Sequence, residues 1–170
     1  MKRILAIIIS ASFIALSSVV FGQANLKIGY IDSNELLELM PEKDSVEAKL
    51  MEYQASLEDQ IANMLTEYQT KVQNYRDNVA TMSDIIKQTK EKEITDLETR
   101  IQQFQQTAEM DFQNKQAELY NPLFEKARKA ISEVAKEQGF TYVFDISMGT
   151  VLYYESGIDV LPLVKNKMNL

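Results

Sequence analysis

The chain lacks three residue types that carry much of protein chemistry: its 170 residues include no cysteine, no histidine and no tryptophan. Without cysteine the protein forms no disulfide and offers no thiol nucleophile. Without histidine it cannot build a Ser-His-Asp triad, an HExxH zinc site or an imidazole general base. A glycine-rich phosphate-binding loop is also missing. These absences make an enzyme the weakest interpretation, and we expect no catalytic site, no cofactor and no metal.

Glycine and proline are scarce, with five and three copies. Because these residues interrupt helices and strands, their scarcity predicts long uninterrupted elements. The stretch 42–138 contains no glycine and only one proline, Pro122, so we expect it to be almost entirely helical. Pro122 predicts either a fixed kink or a hinge, since a proline inside a helix removes a backbone hydrogen bond.

Residues 1–24 have the pattern of a secretory signal peptide. Lys2 and Arg3 precede an uncharged, largely apolar stretch that ends in small residues. We expect cleavage after Gly22 or Ala24, and an uncleaved membrane anchor is the alternative. Export separates the protein from cytoplasmic nucleotides, which argues against an ATP-driven mechanism.

The charge balance is acidic. The chain has 25 acidic and 18 basic residues, and removal of Lys2 and Arg3 leaves 16 basic residues and a net charge of −9. Nucleic-acid binding needs a basic surface, so we expect no nucleic-acid partner. For the same reason the charge does not support contact with an anionic membrane surface.

Apolar residues in the long helical stretch are spaced alternately by three and four positions, with one interruption. The first series is Val46, Leu50, Tyr53 and Leu57, then Tyr68, Val72, Tyr75, Val79, Met82 and Ile86, and the second is Ile94, Leu97, Ile101, Phe104 and Ala108. This spacing is typical of coiled coils. It predicts an antiparallel helix pair over 42–119 that turns back near 81–84. Because such a pair buries only a thin stripe, we expect a projecting arm.

The two ends of the chain predict a small body, formed by 25–41 and 120–170. We expect strands at 26–31, 140–146 and 151–154, the last two as a hairpin, and short helices after Asp32 and at 162–168. Gly139 is placed to end the long helix. The fold class is therefore α+β and mostly α, with a small sheet and a long helical arm.

The predicted strands share an apolar and aromatic set that is too small to form a stable core alone. Open sheet edges add to this problem, and we expect oligomerisation to solve it. The candidate core residues of the body and its assembly are Ile28, Tyr30, Phe140, Tyr142, Phe144, Leu152 and Tyr154.

Methionine and tyrosine residues of the arm suit promiscuous apolar contacts, because they are adaptable or amphipathic. The alternative is that they only fill the seam between the helices or lie scattered in solvent. The candidates are Met51, Met64, Tyr68, Tyr75, Met82 and Met110. Carboxylate pairs such as Glu58 with Asp59, or Glu91 with Glu93, are interpreted as solvated helix surface rather than metal ligands.

Several segments together resemble the Skp/OmpH family of periplasmic chaperones. They are Gly-Tyr-Ile-Asp at 29–32, Met-Pro-Glu at 40–42, Tyr-Asn-Pro-Leu at 120–123, Ile131–Asp145, and Val-Leu-Tyr-Tyr at 151–154. The likeness covers essentially the whole mature chain. It implies a homotrimer in which a β-body carries three helical tentacles around a cavity. It also implies an ATP-independent holdase that keeps unfolded outer-membrane proteins soluble in the periplasm.

One feature departs from that family, since its best-known members are basic and this chain is acidic. Between Glu35 and Tyr75 there are nine acidic and three basic residues, whereas Arg76–Glu93 has four of each. This charge does not support electrostatic capture of acidic clients. The alternative function is a structural coiled-coil spacer or scaffold of the cell envelope, whose sequence would look much the same.

Overall fold

The structure, a computed structural model, describes residues 26–170, and the predicted signal peptide lies outside them. The predicted α+β, mostly helical fold is confirmed. The elements in chain order are β1 (Ile28–Ile31), α1 (Ser33–Glu38), α2 (Glu42–Asn78), α3 (Asp84–Glu137), β2 (Tyr142–Asp145), β3 (Ile158–Asp159) and α4 (Leu161–Met168), with a 3-10 turn at Val79–Thr81 between α2 and α3.

Helices α2 and α3 form the arm. The 37 residues of α2 correspond to a length of about 55 Å at 1.5 Å per residue. The chain reverses through the 3-10 turn, and the Ser83 side chain caps α3 by accepting a hydrogen bond from the Ile86 N–H at 3.4 Å. This reversal overlaps the predicted tip at 81–84.

The seam of the arm is thin, as its spacing predicts. Val46 and Leu50 are buried near the body, and Leu97, Ile101 and Ala108 are buried on α3. Ile86 is exposed. The other seam residues of α2 and the turn are at most half-buried, and they include Tyr53, Leu57, Tyr68, Val72, Tyr75, Val79 and Met82. The distal arm, which is the part nearest the turn, is therefore held by half-buried side chains and polar contacts rather than by a fully buried core.

Helix α3 continues without a break through Pro122. Leu123 and Ala127, which follow it, are buried against the body. Proline leaves the carbonyl four residues earlier without its helical partner, but packing on both sides of this point holds the helix together. Whether Pro122 acts as a hinge stays a prediction.

Local capping signals explain where the helices begin and end. Asp32 accepts hydrogen bonds from the N–H groups of Asn34 at 2.9 Å and Glu35 at 3.1 Å, which starts α1. At the end of α3, Gly139 adopts a φ of 68°. The Phe140 N–H then bonds to the Ala135 carbonyl at 2.9 Å, as in a Schellman motif. Gly139 thus ends the long helix as expected.

The sheet has the order β2-β1-β3 in the described residues, and both neighbours of β1 run parallel to it. The predicted hairpin is therefore wrong. A hairpin would pair a returning strand with β2, but the third strand is Ile158–Asp159 and pairs with the opposite edge of β1. The chain must run back beside the sheet before β3 can begin, and residues 151–154 make that return without forming a strand.

The return segment is held by aromatic packing. Its Tyr154 ring lies 4.7 Å from the Tyr30 ring, centroid to centroid. A tight turn follows, in which the Gly157 N–H donates to the Tyr154 carbonyl at 2.8 Å. Aromatic pairs at this distance add to the stability gained from burial alone. This contact holds the end of the segment against the face of the sheet.

The core lies on one side of the sheet, where α1, α3 and α4 cover it. Its most buried members are Ile31, Leu36, Met40, Val160 and Val164. The same cluster continues to Val46 and Leu50, with Phe112 and Leu119 packed against it. The packing of the body thus extends past the predicted boundaries at 42 and 119, into the base of the arm.

Helix α4 begins at Leu161, one residue earlier than predicted. The Asp159 carboxylate accepts a hydrogen bond from the Leu161 N–H at 2.9 Å. The carboxylate of Asp159, two residues before the helix, thus caps one of the free N–H groups of its first turn.

Candidate functional site

The outer face of the sheet carries the candidate body residues. Because side chains alternate along a strand, Gly29 and Ile31 point to the core while Ile28 and Tyr30 point outward. The parallel register sets Ile28 beside Tyr142 and Tyr30 beside Phe144. We define the outer sheet face as Ile28, Tyr30, Tyr142 and Phe144, together with Tyr154, which packs on Tyr30.

Large apolar side chains on this face are exposed in the single chain. Tyr142 is 57% exposed, and its ring stacks with that of Phe144 at 6.1 Å. The return segment borders a groove of about 930 Å³ over the face, lined among others by Leu26, Ile28, Phe144, Val151 and Tyr153. Exposed apolar patches are common at interaction surfaces.

Two of the seven candidate body residues lie elsewhere. The Phe140 ring is half-buried on the inner side, next to Gly29. It precedes β2 and belongs to the turn that ends α3, so strand alternation does not apply to it. Leu152 is 94% exposed on the return segment. The structure therefore brings five of the seven together on the outer sheet face.

A polar cluster closes the carboxyl end of β1 and β2. The Asp145 carboxylate accepts hydrogen bonds from the Ser33 hydroxyl at 2.5 Å and from the Ser147 N–H at 3.0 Å. Partial burial acts to raise the pKa of Asp145, but the hydrogen bonds from Ser33 and Ser147 outweigh it and hold the pKa below its usual value. The cluster ties the start of α1 to the end of β2.

The arm candidates fall into two groups. Met51 and Met110 are 72% and 61% exposed, away from the seam. Met64, Tyr68, Tyr75 and Met82 are half-buried along the seam, so they pack between the helices and still present an edge to solvent. The two interpretations of these residues, seam filling and outside contact, are therefore compatible in this geometry.

Polar contacts join the two helices in the distal arm. The Tyr75 hydroxyl donates to the Glu91 carboxylate, which raises the pKa of Tyr75. Lys71 of α2 lies 3.6 Å from Glu93 of α3. Lys90, which precedes Glu93 on α3, lies 3.0 Å from the same carboxylate, and its hydrogen bond lowers the pKa of Glu93. A cavity of about 340 Å³ lies between the helices here, and Met82 and Ile94 contribute to its lining.

The tip carries an exposed apolar pair, although the spacing pattern predicts that one of its two members lies in the seam. Ile85 is 77% and Ile86 48% exposed, in the first turn of α3. Ile86 belongs to the seam series, whereas Ile85 lies outside it. The sequence does contain a signal for this exposure. Adjacent residues of a helix point in different directions, so Ile85 and Ile86 cannot both face the partner helix.

Two structural features are absent from residues 26–170. No group of three or more acidic side chains there is arranged to hold a metal ion. Over the same range, each helix is too short or too polar to cross a membrane.

Comparison with known proteins places the chain in a family. The family model described as "Outer membrane protein (OmpH-like)" matches residues 27–168. The chain belongs to the OmpH-like family. The match spans both the body and the arm, so it covers every surface described above.

Individual relatives agree with this assignment. The chain is 27% identical over 161 residues to the chaperone protein Skp of Photorhabdus laumondii and, to the same extent, to that of Photorhabdus luminescens, covering 94% of each chain. A crystal structure of a candidate outer membrane chaperone (OmpH-like) from Caulobacter crescentus superposes with a TM-score of 0.70, covering 88% of both chains at 11% identity. At that identity the structural likeness supports the fold.

Proposed function

We propose that this protein is a holdase chaperone, which binds unfolded outer-membrane proteins in the periplasm and keeps them soluble. We call these unfolded proteins clients. Membership of the OmpH-like family and the similarity to Skp chaperones support this function. The structural observation that carries it is a projecting two-helix arm that leaves apolar side chains exposed along its length and at its tip.

The arm suits reversible binding without ATP. Polar residues separate its exposed methionine side chains from one another and from the isoleucine pair at the tip, so each contact with a client is small and short-lived. Several arms acting together give avidity, while every single contact still dissociates quickly. A client can then leave by folding into the outer membrane. The candidate contacts on the arm shaft are Met51, Met64, Tyr68, Tyr75, Met82 and Met110.

Self-assembly supplies the several arms. The outer sheet face exposes aromatic side chains beside a groove of about 930 Å³, and burying this surface against other copies stabilises a body that is small by itself. A homotrimer is the state implied by the resemblance to Skp/OmpH chaperones. Export by a cleaved signal peptide at 1–24 brings the assembly to the periplasm.

An aggregation assay tests the holdase function. A urea-unfolded outer-membrane β-barrel is diluted into buffer with and without the mature protein, and light scattering is followed. We expect suppression of scattering at a stoichiometric amount of protein and without ATP. A cytoplasmic coiled-coil protein of similar length and charge is the control. If the mature protein suppresses scattering no better than this control, the envelope-spacer function is favoured instead.

A further inference from the structure

The charge of the arm is unevenly distributed. Along its two flanks, 42–75 and 94–119, there are 12 acidic and five basic residues, a net charge of −7. Between them, the tip at 76–93 carries four acidic and four basic residues. Identical arms of one assembly therefore repel one another along their flanks, and the tip is the part of the arm with no net charge.

The largest aliphatic exposure of the arm coincides with this neutral tip. Ile85 and Ile86 are adjacent, at 77% and 48% exposure. The charged groups nearest to them in sequence are of both signs, Asp84 and Lys87, which lie 3.6 Å apart. Contact between two tips would bury isoleucine surface and meet no net repulsion.

We propose that the arm tips of neighbouring copies contact one another through Ile85 and Ile86, and so close the mouth of the space between the arms when no client is bound. The proposal rests on the self-assembly described under Proposed function. The patch comprises few side chains, too little surface for stable association of free chains. Tethering the arms to a shared body raises the effective concentration of the tips and makes so small a contact sufficient.

The flank charges make the contact reversible. Flank repulsion opposes closure, so a client that occupies the isoleucines or the space between the arms opens the mouth at little cost. Salt screens the exposed flank charges and favours closure. The arm thus opens most readily at low ionic strength.

Distance measurements between spin labels test this proposal, because the chain has no cysteine of its own. A label at Ala80→Cys reports on the tip, and a label at Gln106→Cys reports on the shaft; both native side chains are exposed. We expect a population of short distances between tips in the assembled protein, growing with salt and lost when client is added. The shaft label should show only longer distances.

Substitution separates the isoleucine contact from other causes. Ile85→Ser with Ile86→Ser should abolish the short tip distances, whereas Met51→Ser with Met110→Ser, which removes two exposed apolar side chains from the shaft, should leave them in place. The proposal is overturned if the wild-type assembly lacks short tip distances or if the isoleucine variant keeps them. It is also overturned if that variant weakens client retention with unchanged tip distances, since the isoleucines would then be client contacts.

Sedimentation of the same labelled samples distinguishes the tip contact from the self-assembly beneath it. An assembled protein with separated tips refutes the tip contact alone. A monomer refutes both the tip contact and the self-assembly on which it rests.

Discussion

Gly29 of β1 packs so tightly against Val160 that a Cβ at position 29 would lie 2.8 Å from Val160 Cγ1. The Phe140 ring approaches the same point to 3.0 Å. Val160 is fully buried and connects β3 to α4. This close approach brings β1 directly against the residue that joins β3 to α4.

We expect Gly29→Ala to destabilise the body, because Val160 is fully buried and its β-branched side chain has little rotational freedom. Overpacking of this kind costs about 1–3 kcal/mol. The urea midpoint of the mature protein measures the loss. Gly149→Asn is the control: Gly149 has a φ of 65°, a Cβ at this position would meet nothing within 4 Å, and asparagine tolerates this conformation. Equal midpoints for Gly29→Ala and wild type would contradict the packing argument.

The Asp145 cluster predicts a pH dependence of stability. The pKa of Asp145 is lowered in the folded protein, so the ionised form is favoured by folding. Its stabilising contribution is present above the pKa of an unfolded aspartate, about 3.9, and is lost as the pH falls through the lowered folded value.

Asp145→Asn should therefore lower the urea midpoint at pH 7, and the difference from wild type should shrink as the pH approaches 3. Asp111→Asn, on the exposed surface of α3, controls for the loss of one carboxylate. A difference that is constant between pH 7 and pH 3 would show that the ionised carboxylate is not what stabilises the cluster.

The Tyr75–Glu91 hydrogen bond should hold the distal arm closed between its helices. Tyr75→Phe keeps the ring and removes the hydroxyl, so we expect faster amide hydrogen exchange in 72–94 with little change in the body. Tyr53→Phe, a half-buried tyrosine nearer the body, is the matched control. Unchanged exchange in the distal arm would mean that the seam contacts alone are sufficient there.

This bond also carries a pH prediction. The pKa of Tyr75 is raised by its bond to Glu91, so the contact is intact below the pKa of an unfolded tyrosine, about 10. It should be lost as the pH rises through the higher folded value. The exchange difference between wild type and Tyr75→Phe should disappear at that alkaline pH.

The outer sheet face predicts a separation between folding and assembly. Phe144 is exposed in the single chain, so Phe144→Asp should leave the helical circular dichroism intact while reducing the sedimenting mass to that of a monomer. Met110→Asp, which places the same charge on the arm, should not change the mass. An intact oligomer of Phe144→Asp would move the interface to another surface.

Much of the fold follows from local signals in the sequence. Asp32, Ser83 and Gly139 act at the helix ends where their residue types predict, because capping depends on atoms within a few residues. The arm follows from its three-and-four spacing. The strand order does not follow from local signals. Whether the last strand pairs with β2 or with the free edge of β1 depends on contacts between residues that are far apart in the sequence.

The positions of the candidate surface residues likewise follow only in part from the sequence. Alternation along β1 places Ile28 and Tyr30 on one face, whereas Phe140 lies off that face because β2 begins at Tyr142, two residues later than predicted. The exposure of Ile85 does not follow from the seam pattern, because that pattern describes only the residues that match it. Contacts of the shaft residues with a client stay a prediction.

The central claim is that the assembled protein holds an unfolded outer-membrane protein in solution. The most direct test is to dilute a urea-unfolded outer-membrane β-barrel into the mature protein and to measure the mass of the soluble species by sedimentation. We predict a complex of one client with three subunits. If the client precipitates while this protein sediments alone as an oligomer, the holdase function is contradicted.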